Sequence, residues 1–166
     1  MKKFFLAVFA LLAACTTYDF PQVYHKNFQP GKNEKLRFGG YYTEVLTPND
    51  LQSSPVKPVF FYSDGSAFSA GKSYNSTTPV NAMEGAWGNY RIIADTILLE
   101  RFDLIANNYR RIILRGVLSS DTIHWTSRKD HNEDYKPVDY RVVFRPATAK
   151  PDSTLNWTRK RKKYNR

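Results

Sequence analysis

The chain has 166 residues, one cysteine and a formal net charge of +10. Setting its two distinctive ends aside leaves enough chain for one core and too little for two domains. The single cysteine rules out an intrachain disulfide. The charge is not a broad basic face of the kind a nucleic-acid-binding domain carries: six cations sit in the last eight residues, and residues 15–158 hold 17 basic against 15 acidic side chains.

At the N-terminus, Met1-Lys2-Lys3 precedes eleven apolar residues, Phe4–Ala14, and then Cys15. A charged start, a short apolar run and small residues make the pattern of a secretory signal peptide. As a helix those eleven residues rise only about 16 Å, against roughly 30 Å of hydrocarbon core, which excludes an ordinary transmembrane helix. The stretch Leu12-Ala13-Ala14-Cys15 resembles the lipobox of bacterial lipoproteins. The resemblance implies removal of residues 1–14, a diacylglycerol thioether on Cys15 and acylation of the new amine. Two or more chains anchor stably, at about 0.8 kcal/mol per buried methylene. Thr16, standing where an Asp would retain the protein at the inner membrane, implies the outer membrane of a bacterial envelope. A cysteine in a plain signal peptide cut elsewhere is the alternative. Residues 15–33 contain Pro21, Pro30 and Gly31 and show no period, so they read as a lipid-anchored tether.

From residue 34 to 147 the pattern is strand after strand, with no sustained 3.6-residue period. The predicted strands are 36–46, 59–62, 67–70, 87–93, 97–102, 109–118, 122–127 and 140–145. Ile112, Leu114 and Leu118 share one face against Arg111 and Arg115. Ile123 and Trp125 likewise oppose Thr122, His124 and Thr126, as in sheets with one buried face. Val59–Tyr62 is apolar throughout, which predicts cover on both faces. Asp64-Gly65 marks a hairpin turn, and Asp95-Thr96-Ile97 recurs as Asp121-Thr122-Ile123, a turn followed by a β-branched strand start. Long connections are expected at 47–58, 71–86, 103–108 and 128–139, alternating with tight turns. The expectation is an all-β, antiparallel up-and-down meander of about eight strands, closed or nearly closed into a small barrel. All long loops then lie at one end.

Gly39-Gly40-Tyr41-Tyr42, the stretch 60–66 (FFYSDGS), the stretch 87–90 (WGNY) and the two Asp-Thr-Ile turns resemble a lipocalin-like bacterial lipoprotein. That likeness implies a closed barrel and often an apolar ligand.

Residues 148–166 read as a disordered basic tail. Arg159, Lys160, Arg161, Lys162, Lys163 and Arg166 would bind anionic lipid or lipopolysaccharide phosphates, or only aid solubility. Counting strands brings anchor and tail out together at the tight-turn end.

Chemistry is sparse. Neither a Gly-rich phosphate loop nor a Gly-x-Ser-x-Gly is present, and the histidines have no partnered nucleophile, so an enzyme is not expected. Asp130, His131, Glu133 and Asp134 match no zinc spacing and read as a solvated loop, so no metal or other cofactor is expected. Trp87, Tyr90, Trp125, Tyr140 and Phe144 read as packing. Tyr74, Met83, Tyr109 and Tyr135, in or beside the long loops, are the candidate ligand contacts. The functional expectation is an envelope-anchored binding module for an apolar or amphiphilic ligand, or a partner, at the long-loop end. Its alternative is a structural lipoprotein with a filled barrel.

Overall fold

A computed structural model of the chain describes residues 30–44, 58–71, 84–105, 108–130 and 133–160. Eight strands follow in order: β1 (Gly40–Glu44), β2 (Val59–Phe61), β3 (Ser66–Ala70), β4 (Gly85–Ile93), β5 (Thr96–Ile105), β6 (Asn108–Ser119), β7 (Thr122–Asp130) and β8 (Lys136–Pro146). Each runs antiparallel to the next, and β8 returns to β1, closing the barrel. The meander is the one the alternation predicts.

Two stretches expected as loops are largely strand. β5 and β6 pair out to Ile105 and Asn108, so most of 103–108 belongs to the longest hairpin. Asp103 and the two asparagines are turn formers, but ten consecutive paired positions outweigh their local preference. β7 and β8 likewise extend to Asp130 and Lys136.

Alternation sends Tyr42, Phe61, Tyr90, Ile97, Leu99 and Trp125 into the barrel. Tyr42 meets Phe61 and Phe144 edge to face at 5.6 and 5.5 Å, and Phe61 meets Tyr90 at 5.2 Å. Such pairs add about 0.5–1.5 kcal/mol each beyond area burial. The hydroxyls are also used: Tyr90 Oη donates to the Tyr62 carbonyl at 2.7 Å, and Tyr42 Oη accepts from the Arg37 amide at 2.9 Å. This aromatic stack fills the half of the barrel nearest the tight turns.

Strand β1 begins at Gly40 and not at Leu36, because residues 30–39 cross the tight-turn end. The Pro30 carbonyl accepts from the Ile92 amide at 2.7 Å. Lys35 Nζ reaches Asp95 at 2.9 Å and Arg37 reaches Asp121 at 3.1 Å, so the recurring Asp-Thr-Ile turns are two docking points for one segment. Hydrogen bonds from Lys35 and Asn33 hold the Asp95 carboxyl below its ordinary range. Between the two cations Leu36 turns inward, is buried and joins the core. Both ion pairs are exposed and individually weak; the plug is Leu36.

The chain beyond β8 is not loose. The sequence reading ends the domain at residue 147, yet residues 147–158 run back along the outer wall. The Ala147 amide donates to the Gly39 carbonyl, and Tyr62 Oη donates to the Pro151 carbonyl at 2.6 Å. A 3-10 turn (Ser153–Leu155) leads to one turn of helix, α1 (Trp157–Lys160). Asn156 is buried, and its amide nitrogen lies 2.9 Å from the Gly88 carbonyl, 3.1 Å from Ser66 Oγ and 3.3 Å from Asn89 Oδ1. Thr158 completes the ring, accepting from Asn89 at 3.0 Å and donating to Asn156 Oδ1 at 2.6 Å. Trp157 packs on Phe102 and covers a second apolar cluster of Phe60, Tyr62, Phe68 and Trp87. Val59–Tyr62 is therefore buried on both faces, as expected. β8 does end at the tight-turn end, but the strap carries the chain on to α1, at the flank of β4 and β5.

Trp125 is 1% exposed, whereas His124 pairs with exposed Asp139 at 2.6 Å on the outer face. Trp125→Ala should cost about 3–5 kcal/mol and His124→Ala no more than about 0.5; urea midpoints measure both, and equal midpoints would contradict the strand phase. Asn156→Ala leaves buried polar groups unmet at about 1–3 kcal/mol. It should also raise hydrogen exchange across 147–158 while leaving β6 protected, and unchanged exchange there would show that the strap does not depend on this ring.

Candidate functional site at the barrel mouth

The two ends of the barrel differ in chemistry. Above the aromatic stack, toward the long connections, the inward rows turn polar. On β3, Ala67 lies in the core and Ser69 is two residues higher; on β5, Ile97 and Leu99 lead to Arg101. Arg101 donates to Ser69 Oγ at 3.3 Å. It crosses β4 at Gly88, the residue opposite it in the ladder. No side chain stands in the way there, and a Cβ on Gly88 would collide with the Glu100 carbonyl.

A bulge supplies the second arginine. The ladder between β6 and β7 shifts register between Arg115 and Gly116, whose partners are Ser127 and Trp125. Thr126 is the extra residue, and its hydroxyl lies 3.3 Å from the Arg115 carbonyl. Without it, simple alternation from Ile123 and Trp125 would send Ser127 and Lys129 inward. With it, Arg128 and Asp130 face the interior, opposite Leu114 and Ile112. Bulges beside sites commonly re-aim side chains in this way. Arg128 Nε meets Asp130 Oδ1 at 2.8 Å, and the two side chains are 42% and 26% exposed.

Tyr140, expected only as packing, stands between these groups. It lies opposite Trp125 and rests on the core. Burial raises its hydroxyl above the ordinary tyrosine value; Arg101 and Arg128 pull it back, and Glu44 pushes it up again. The site thus has an apolar aromatic floor, two arginines and a tyrosine at mid-depth, and two carboxylates at the rim. At the far edge, Lys136 pairs with Glu133 at 2.6 Å, which raises the ammonium's affinity for its proton.

Of the candidate ligand contacts, Tyr74 and Met83 lie outside the described residues. Tyr109 is on β6, and its side chain is likewise outside them. Tyr135, in the connection between β7 and β8, is half exposed with the Lys129 ammonium 5.7 Å from its ring, and Lys129 is on the outer face. Cys15, Arg161, Lys162, Lys163 and Arg166 lie outside the described residues; Arg159 and Lys160 are placed on α1, with their side chains outside them. Asp130 and Glu133 are each engaged by a cation, and His131 is outside the described residues. No three His, Cys, Asp or Glu side chains converge among the described residues.

Sequence reasoning missed Arg101, Arg128 and Tyr140 as a group. Arg101 and Tyr140 follow from continuing the alternation of their strands. Arg128 does not, because nothing in Trp125-Thr126-Ser127 announces a bulge.

The fold is a small closed antiparallel β-barrel with two buried aromatic clusters. The chain matches no family model, no curated protein and no solved structure.

The geometry at Tyr140 has a direct spectroscopic consequence. Since Arg128 favours the phenolate, Arg128→Met should move the Tyr140 titration to higher pH, as followed by ring-carbon NMR. Arg115→Met, on the outer face, should leave it in place. A Tyr140 titration indifferent to Arg128 would contradict the inward turn of β7.

Proposed function

We propose that this protein is a binding module of the bacterial cell envelope that takes an apolar or amphiphilic ligand at the long-loop mouth of its barrel. Cys15 is its lipid anchor, at the outer rather than the inner membrane, and its C-terminal cations add attraction to anionic lipid or lipopolysaccharide phosphates. The reading of the mouth is carried by one observation, the contrast between the two ends. One end is stoppered by Leu36 and tied by Lys35 and Arg37. At the other, a bulge turns charged side chains inward over an apolar floor. A barrel that is only a spacer gains nothing from arginines directed into its interior, where their desolvation is costly. A ligand with an apolar body and a polar end would meet both surfaces.

The filled lower half supports a second reading, a structural lipoprotein whose barrel holds no small molecule. With Tyr42, Phe61, Tyr90 and Trp125 packed there, any ligand is confined to the upper half.

One preparation decides between them. The full chain is extracted from membranes and examined by native mass spectrometry, with metabolic palmitate labelling of the wild type and Cys15→Ser. A co-purified lipid-sized mass supports the binding module. An empty protein that also takes up no fluorescent fatty-acid probe favours the structural reading. Label on the wild type, absent from Cys15→Ser, supports the anchor, and an unlabelled wild type removes it.

A further inference from the structure

The outer wall of the barrel is covered in part. The second aromatic cluster and the strap 147–158 lie over β1–β4 and reach β5 at Phe102, and outward Glu100, Arg111 and Ile113 in the long-connection half of β5 and β6 are buried as well. Over β4–β8, near the tight turns, the wall is bare and carries an unusual mixture. Arg91, Arg115, Arg141 and Arg145 all point outward and are exposed. Among the described residues none of the four pairs with a carboxylate. Of the nearby acids, Asp95 is paired by Lys35 and Asp121 by Arg37, and Asp139 is hydrogen-bonded to His124.

Between the arginines stand apolar side chains that the core does not take up. Ile93 is 53% exposed and Val117 44%. The ladder sets them close together, since Thr96 pairs with both. Arg91 and Arg115 flank Leu98, their common partner, about 10 Å apart across two strand spacings. Val117 faces His124, and His124 faces Arg141. Arg91, Arg115 and Arg141 thus border the exposed Ile93 and Val117, while Arg145 stands further along β8, opposite Tyr41. Isolated surface arginines are ordinary. Three of them without carboxylate salt bridges beside exposed branched residues, with Arg145 further along β8, make a surface suited to a polyanionic plane with an apolar layer beneath it.

Taken with the anchor proposed above, a second placement points to the same occupant. The described chain begins at Pro30, and the Pro30 carbonyl accepts from the amide of Ile92, next to Ile93 and Arg91. The segment that leads back to Cys15 therefore reaches the barrel at the edge of this patch.

From these placements we infer that the β4–β8 wall is a docking face for an anionic lipid surface, on which the barrel lies on its side. The arginine heads meet head-group phosphates, while Ile93 and Val117 reach toward the acyl boundary. This attraction is independent of lipidation, but its orientation rests on the anchor proposed above. Such a pose leaves the mouth facing sideways along the membrane, within reach of a ligand leaving the bilayer.

The test uses the full chain carrying Cys15→Ser, so that no acyl group contributes. Co-sedimentation is measured with vesicles of phosphatidylcholine alone and with phosphatidylglycerol added, at low and high salt. The wall variant is Arg91→Gln/Arg115→Gln/Arg141→Gln, and the tail variant lacks residues 159–166. Exposed Arg-to-Gln changes should leave the urea midpoint in place, which checks the fold. Expected are salt-sensitive binding to anionic vesicles only, a loss of at least about tenfold in the wall variant, and a smaller loss in the tail variant. Ile93→Ser should weaken binding at high salt, where the apolar part remains. Equal binding by wall variant and parent overturns the inference, as does equal binding to neutral vesicles. Palmitate labelling of the wild type is read separately, so a failed docking face and a failed anchor are told apart.

Discussion

Five residue pairs between the first strand and the last, from Gly40 opposite Pro146 to Glu44 opposite Val142, turn a sheet into a barrel. Their contact is close: a Cβ on Gly40 would collide with the Arg145 carbonyl, so the first pair requires glycine. Everything else assumes this closure. It removes the two free edges that an open meander would offer for aggregation. It brings Phe144 against Tyr42, which completes the aromatic stack. It also aligns residues 30–39 so that Leu36 falls into the open end, and it sets Ala147 beside Gly39, where the strap begins.

Closure divides labour between the two ends. Near the tight turns the interior is spent on packing, and the tyrosines there bond to backbone groups. Near the long connections the same inward rows carry charge. The change takes place within single strands, from Leu99 to Arg101 on β5 and from Trp125 to Arg128 on β7, two positions on but for the bulge. Outside, the division runs around the circumference instead. The strap covers β1–β4 and reaches β5 through Trp157, tied by a ring of buried amides and hydroxyls, while Arg91, Arg115, Arg141 and Arg145 stay in water near the tight turns.

Much of this was legible because period-2 alternation reports which face a residue takes without knowledge of its neighbours. The eight strands, their order, the inward Ile123 and Trp125 and the doubly covered Val59–Tyr62 all follow from it. Three features do not. Leu36 reads as strand because an apolar residue between two cations fits the alternation; its role as a stopper depends on turns 59 and 85 residues away. The bulge at Thr126 is set by the pairing of β7 with two neighbours, and Thr-Ser has no local mark for it. Lys150–Thr158 has no period at all, and its hold on the barrel comes from partners 67 to 112 residues distant. In each case the information is long-range. The Asp-Thr-Ile recurrence was visible as two turns, but not as two receivers for Lys35 and Arg37.

The short first strand and its late partner also bear on the order of assembly. β4 to β8 are consecutive hairpins, each closed by a few residues, so they can form as the chain appears. β1 is different: it meets β2 through one registered pair and β8 through five. Its main partner lies about a hundred residues downstream, and joining ends that far apart carries the largest loop entropy in the molecule. Contacts of such separation are characteristically slow to form. Until Val142–Pro146 exists, Gly40–Glu44 has little to hold it, and neither the stopper nor the strap has a seat. The barrel is thus a structure that can be completed only when nearly the whole chain is available at once.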